Sequence, residues 1–152
     1  MQSLKASILG LVGTLLLLGQ VNAAGDRGTA DEASSMLGNA EAHYKAVGRD
    51  QALKDFSEKG SNWVDRDLYV FCMDDAGVIT GHGANSALVG RDLSGLKDAN
   101  GKKFIVEIIS TARAGGGWVD YLWPNPTTNK LESKSSTVKG FGDDICGVGI
   151  FK

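Results

Sequence analysis

Leu68-Tyr69-Val70-Phe71-Cys72-Met73, then Asp74-Asp75-Ala76-Gly77, then Val78-Ile79-Thr80: this stretch decides the fold class. The first six residues are rich in β-branched and aromatic side chains and read as a strand. The Asp-Asp-Ala-Gly run reads as a turn, and the short apolar run after it as the returning strand of a hairpin. Side chains alternate along a strand, so Leu68, Val70 and Cys72 share one face while Tyr69 and Phe71 share the other.

Upstream the period changes from two to 3.6. Thr29-Ala30-Asp31-Glu32 matches a capping box. Ala33, Met36, Leu37, Ala40, Tyr44 and Val47 then recur at one-face helical spacing, and Gly48 ends the run. Asp50 is expected to cap a second, shorter helix with Leu53 and Phe56 inside, stopping near Gly60. Downstream, residues 81–101 carry five glycines and read as loop. Phe104, Ile105, Ile108 and Ala112 fit a helical stripe; their β-branched content also permits a strand, but Gly115-Gly116-Gly117 and the length favour the helix.

Three further strands are expected at Trp118–Trp123, Lys134–Phe141 and Ile145–Phe151. Pro124-Asn125-Pro126 closes the first, and Gly142-Asp143-Asp144 turns between the last two. Two helices, a hairpin, a crossover and a run of strands predict an α+β domain with an antiparallel sheet.

The N-terminus carries an address. Lys5 precedes an apolar run from Ile8 to Leu18, and Val21-Asn22-Ala23 offers the small residues of a cleavage site. The run is too short for a bilayer-spanning helix, which needs about 20 residues. Residues 1–23 are therefore expected to be a signal peptide, leaving 24–152 as one exported domain, periplasmic or secreted. The 16 basic and 18 acidic residues of the full chain give no field for nucleic acid. Glycine, at 21 of 152 residues, is about twice its usual share and points to tight turns rather than a helical bundle. Two Cys and two separated His, without CxxC or CxxCH, argue against zinc and c-type haem. No GxSxG motif or Walker loop is present, so neither enzyme chemistry nor a cofactor is expected.

Asp67-Leu68-Tyr69-Val70-Phe71, Asp75-Ala76-Gly77-Val78, His82 and Leu88-Val89-Gly90-Arg91-Asp92-Leu93 come in that order. They are followed by Gly117-Trp118-Val119-Asp120-Tyr121-Leu122-Trp123-Pro124, Lys134 and Gly147-Val148-Gly149-Ile150-Phe151. In this sequence and spacing, over about residues 30–151, the chain resembles the single-Cache family of extracytoplasmic sensor domains. The resemblance implies a PAS-like five-stranded antiparallel sheet, N-terminal helices on one face and a small-molecule pocket on the other. It also implies a signalling partner, a chemoreceptor or a sensor kinase. Because the chain stops at Lys152, a free-standing exported domain is expected. His82-Gly83 stands where the family often has His-Pro, and Thr137 where a Tyr is common, giving a less aromatic, more polar pocket.

On that frame the aliphatic face of the strands belongs to the N-terminal helix. Tyr69 and Phe71, with Gly147 and Gly149, form the pocket face; the alternative is that these glycines only relieve crowding between strands. The candidate ligand-binding residues are Tyr69, Phe71, His82, Trp118, Tyr121, Trp123, Lys134 and Thr137. Lys134 would supply charge and Tyr121 a hydroxyl to a small organic carboxylate, with tryptophans as walls. Trp118 needs a bulge to join Tyr121 and Trp123. The plainer readings are core packing for the aromatics, a solvated strand residue for Lys134 and a surface histidine for His82. A three-carbon acid has about six heavy atoms, which caps its binding at roughly −9 kcal/mol. The PAS-like strand order 2-1-5-4-3 makes the Cys72 and Cys146 strands neighbours, so a disulfide is expected in an exported protein, with two buried thiols as the alternative. The Val89–Ala99 loop is expected to order over the pocket as the signal. A different class of function, a protein–protein adaptor whose pocket is filled by its own aromatics, stays open.

Overall fold

The computed structural model describes residues 25–152, so the expected signal peptide lies outside the described residues. Helix α1 (Ala30–Val47) begins at the capping box: Thr29 Oγ1 accepts the Glu32 N–H, and the Glu32 carboxylate accepts the Thr29 N–H at 2.8 Å. Gly48, at φ 84°, ends α1 and is at once the N-cap of α2 (Arg49–Phe56). The break requires positive φ at that one residue, which glycine alone adopts cheaply. Asp50 therefore falls inside the first turn of α2, and the expectation that it caps the helix is corrected.

Strands β1 (Val64–Asp65), β2 (Leu68–Asp74) and β3 (Ile79–His82) precede α3 (Phe104–Arg113). Strands β4 (Gly117–Pro124), β5 (Leu131–Phe141) and β6 (Asp144–Phe151) follow it. Every pairing is antiparallel, and the strands run β3-β2-β6-β5-β4, with β1 as a short unforeseen addition beside β2. This is the α+β, PAS-like arrangement expected, with the last strand at its centre.

The sheet separates two cores. On the helix face Leu68, Val70 and Cys72 of β2 meet Cys146 and Val148 of β6, and α1 and α2 cover them with Ala33, Leu37, Ala40, Leu53 and Phe56. Cys72 and Cys146 are opposite each other in register and joined by a disulfide. Asp144 is fully buried at the edge of this core. Its carboxylate accepts from Tyr44 Oη (2.7 Å), Arg49 Nε (2.7 Å), Arg49 Nη2 (3.1 Å) and Thr80 Oγ1 (2.8 Å), tying α1, α2 and β3 to the start of β6. On the opposite face Tyr69, Phe71, Met73, Tyr121, Val138 and Phe151 are roofed by Phe104, Ile105 and Ile108 of α3.

The connection between β3 and α3 is pinned rather than loose. Gly90 N–H donates to Ile79 O (2.8 Å), Ile79 N–H to Arg91 O (2.9 Å) and Leu93 N–H to Gly77 O (3.0 Å). Further on, the Asp98 carboxylate accepts the N–H groups of Asn100, Lys102 and Leu122, fastening the loop to the edge strand β4.

Candidate functional site

The α3 face of the sheet is built around one amine. Lys134 projects from β5 across β6, and a side-chain carbon placed at Gly149 would overlap both Lys134 Cε and Ser136 Oγ. Gly147 likewise makes room for Phe71, whose Cζ would stand 2.6 Å from an added carbon there. The glycines of β6 thus open a trough, and the chain's own Lys134 and Phe71 lie in it.

At the end of the trough Lys134 Nζ donates to Tyr69 Oη of β2 at 2.6 Å. It lies 3.9 Å from the Tyr69 ring centre, 5.0 Å from that of Phe151 and 5.5 Å from that of Phe71. The residue is 1% exposed, and no carboxylate touches the amine among the described residues. Three ring faces attract a cation but do not replace its hydration. Burial accordingly brings the Lys134 pKa down to about 7, opposed in part by the charge of Asp67.

Asp67 is itself completely buried. Its Oδ1 accepts the Gly28 N–H at 2.6 Å, and its Oδ2 has no hydrogen-bond partner among the described residues. Sequence reasoning did not single it out: it lies in the turn between β1 and β2, where strand alternation gives no face.

His82, at the end of β3, is buried, with its ring 4.9 Å from that of Tyr69. Its Nδ1 accepts the Asn85 N–H at 3.0 Å, leaving the proton of the neutral ring on Nε2. Burial, and secondarily the Lys134 charge, lowers its pKa to about 3, so the ring is a neutral donor throughout the physiological range. Tyr121 of β4 stacks on Phe104 at 4.5 Å and shares a 2.8 Å hydrogen bond with Ser136 Oγ. Its hydroxyl is pushed up by burial and stays protonated.

Six of the expected site residues therefore meet around one inner space: Tyr69, Phe71, His82, Tyr121, Trp123 and Lys134. Two do not. Strands β4 and β5 pair without a bulge from Gly117↔Val138 to Pro124↔Leu131, so Val119, Tyr121 and Trp123 point inward. Trp118 points to the opposite face and is 43% exposed. Thr137 pairs with Trp118 and with Val148 of the helix-face core, three residues from Lys134, an odd offset that puts it on the wrong side. Ser136, on the Lys134 side of β5, holds the Tyr121 hydroxyl instead. The sequence also left Met73, Ile79, Leu93, Phe104, Ile105 and Ile108 unassigned to the space they line. Alternation from Phe71 reaches Met73, and the apolar stripe of α3 was legible, but its docking partner was not.

The inner space is small, about 20 Å³, room for a water molecule. A second cavity of about 310 Å³ lies outside it, and Tyr69, His82 and Trp123 line both. No Asp or Glu lines the inner space. Its polar groups are thus donors, Lys134 Nζ and His82 Nε2, together with two tyrosine hydroxyls. Such a set is suited to receive an anion. Among the described residues no cluster of three His, Cys, Asp or Glu side chains could hold a metal ion, and no helix is long and apolar enough to cross a membrane.

Comparison with known proteins agrees with this geometry. Residues 31–144 match the family model for single Cache domain 2. The sensor histidine kinase MctS of Rhizobium johnstonii is 38% identical over 73 residues, which are 48% of this chain and 16% of that protein. The chain thus corresponds to a small part of that relative's length. A methyl-accepting chemotaxis protein from Vibrio parahaemolyticus has the same fold, with a TM-score of 0.69 at 23% identity over 80% of this chain and 86% of that one. A periplasmic sensor domain of a chemotaxis protein superposes with a TM-score of 0.58 at 29% identity, covering 80% of this chain and 88% of the other. A Cache chemosensory domain solved for its recognition of carboxylic acids gives 0.60 at 28% identity, covering 78% and 84%.

Proposed function

The chain belongs to the single Cache domain 2 family of extracytoplasmic sensor domains, and from that membership we propose that it binds a small monocarboxylate through Lys134. It would report the ligand to a membrane-bound chemoreceptor or sensor kinase. The observation that carries the ligand class is the buried Lys134 amine, which has three rings around it, one of them the Tyr69 phenol, but no carboxylate in contact. An incoming carboxylate would supply the missing partner, with His82 Nε2–H and the Tyr69 hydroxyl positioned to share its oxygens. Amino acids and amines fit poorly, because an ammonium group would meet no acid in the lining. A carboxylic-acid-recognising Cache domain among the structural relatives supports the same class. The relatives' receptor and kinase contexts support the partner.

Calorimetric titration with acetate, propionate and pyruvate tests the reading. We expect micromolar binding by the wild type and a loss of about 100-fold in Lys134→Met, the size expected for a charge-assisted hydrogen bond. Unchanged affinity in that variant refutes the contact. The small inner cavity favours a second reading, an adaptor with a filled pocket. Failure of any acid to bind or to raise the melting temperature would support it.

A further inference from the structure

An acid of even a few heavy atoms exceeds the inner space, so binding requires a wall to yield. Nearly all of that wall is locked. Tyr69, Phe71, His82, Phe104 and Tyr121 are buried, and α3 is held by its own apolar stripe. Two lining residues are only half-buried, Leu93 and Trp123. Leu93 is fixed through its backbone to Gly77, within a loop fastened at Ile79 and again at Leu122.

Trp123 is differently placed. With the buried Tyr69 and His82 it lines both the inner space and the 310 Å³ cavity that Leu88, Pro124 and Asn129 help to line. On another side it borders a hollow of about 150 Å³ between Leu96, Leu122 and Leu131. The ring is held by edge contacts, 5.6 Å from Phe104 and 6.4 Å from Tyr121 between centres, not by a stack. Its one polar tie is a side-chain hydrogen bond to Tyr69, the indole N–H donating to the phenol oxygen, a tether at the rim of the chamber that a swing of the ring would break. A half-buried ring with empty volume on two sides has somewhere to go, unlike a ring in a close-packed core.

We propose that Trp123 is the movable wall of the ligand chamber and sets the length of the acid it accepts, a proposal that rests on the carboxylate reading above. Swung toward the Leu96–Leu131 hollow, the indole joins the chamber to the outer cavity. A short acid is then enclosed with its head at Lys134, while a longer chain holds the indole away from its closed position. The outer cavity has no Asp, Glu, Lys or Arg in its lining, so the tail it admits is neutral.

The test is a chain-length series, the sodium salts of acetate through hexanoate, titrated into wild type, Trp123→Ala and Trp123→Phe, each checked for cooperative melting. The wild type should favour the two- and three-carbon acids. Trp123→Ala should shift the optimum toward hexanoate, by about tenfold relative to propionate given the gain per buried methylene, with Trp123→Phe between. In a Trp63→Phe, Trp118→Phe background, where Trp123 is the sole indole, saturating propionate should shift its emission. If the wild type binds short acids, all three proteins rank chain lengths alike and the emission is constant, Trp123 is a fixed wall and the proposal is overturned while the carboxylate reading stands. If no acid binds the wild type, both fall.

Discussion

The two faces of the sheet are made from the same strands and treat polar groups in opposite ways. On the helix side, the buried Asp144 carboxylate takes four hydrogen bonds from three side chains, and the two sulfurs are joined. On the α3 side, a buried amine rests on a phenol without a counter-ion, and at the turn leading into β2 a buried carboxylate oxygen of Asp67 has no partner among the described residues. Unsatisfied buried groups cost stability, so a face that keeps them is organised for something other than stability. One residue of register separates the two: Tyr69 serves the site and Val70 the scaffold.

If the helix face is the scaffold, breaking it should cost most. The Cys72–Cys146 bond closes a loop spanning a sequence separation of 74 and is worth about 4 kcal/mol in the chain-entropy model. Cys72→Ala with Cys146→Ala should lower the melting temperature by roughly 10 °C or more, read by calorimetry, while intact mass after alkylation without reductant should show no label on the wild type. Asp144→Ala comes next. It strands the Tyr44 and Thr80 hydroxyls and leaves Arg49, whose side chain is 43% exposed, to find water. We expect about 2–3 kcal/mol by urea unfolding, less than for a fully enclosed pair. A loss under 1 kcal/mol would mean that the scaffold is held by apolar packing alone.

Much of this division could be read from the sequence, and the failures have a common cause. The period-2 run from Leu68 and the capping box at Thr29 are local signals, and local geometry obeyed them. Alternation alone sorts the residues of β2 and β6 into two faces; which face takes the helices and which the pocket comes from the family resemblance and the room left by the β6 glycines. Thr137 was assigned to the site by its place in a family pattern, against the parity that Lys134 imposes on β5. Trp118 needed a bulge that regular pairing with β5 does not make. What no local pattern carries is depth. Lys134 and His82 read as polar residues with exposed alternatives, and only the docking of α3 and the glycine trough of β6 bury them. The cavity's small volume is likewise a property of how Phe71 and Lys134 fall into that trough.

On the site face the sign of a stability effect should reverse. Lys134→Met replaces a desolvated amine with an apolar chain of similar length over Gly149. The unliganded domain should gain up to about 1 kcal/mol, or at least lose nothing, while acid affinity falls by about 100-fold. A large destabilisation would show Lys134 to be structural and would erase the contrast between the faces.

The smallest effect, and the finest test of the contrast, is in pH. In the free domain Lys134 binds its proton with a pKa of about 7, whereas in the unfolded chain an amine does so near 10.5. Between those values the unfolded state holds more protons, so folding stability rises with pH from about 7. Near pH 10 Tyr69 and Tyr121, both raised by burial, begin to oppose this, because the unfolded phenols ionise first. Ligand affinity runs the other way. A carboxylate beside Nζ favours the ammonium and raises its pKa, so binding above pH 7 takes up a proton. Propionate affinity should be flat between about pH 6 and 7, then weaken toward tenfold per unit, with proton uptake measurable in buffers of different ionisation enthalpy. His82, neutral above about pH 3, contributes nothing in this window, and His82→Gln should leave the shape of the profile unchanged. A profile that is level to pH 9 would mean that the amine is already charged in the free domain, and that the α3 face satisfies its buried groups as fully as the helix face does.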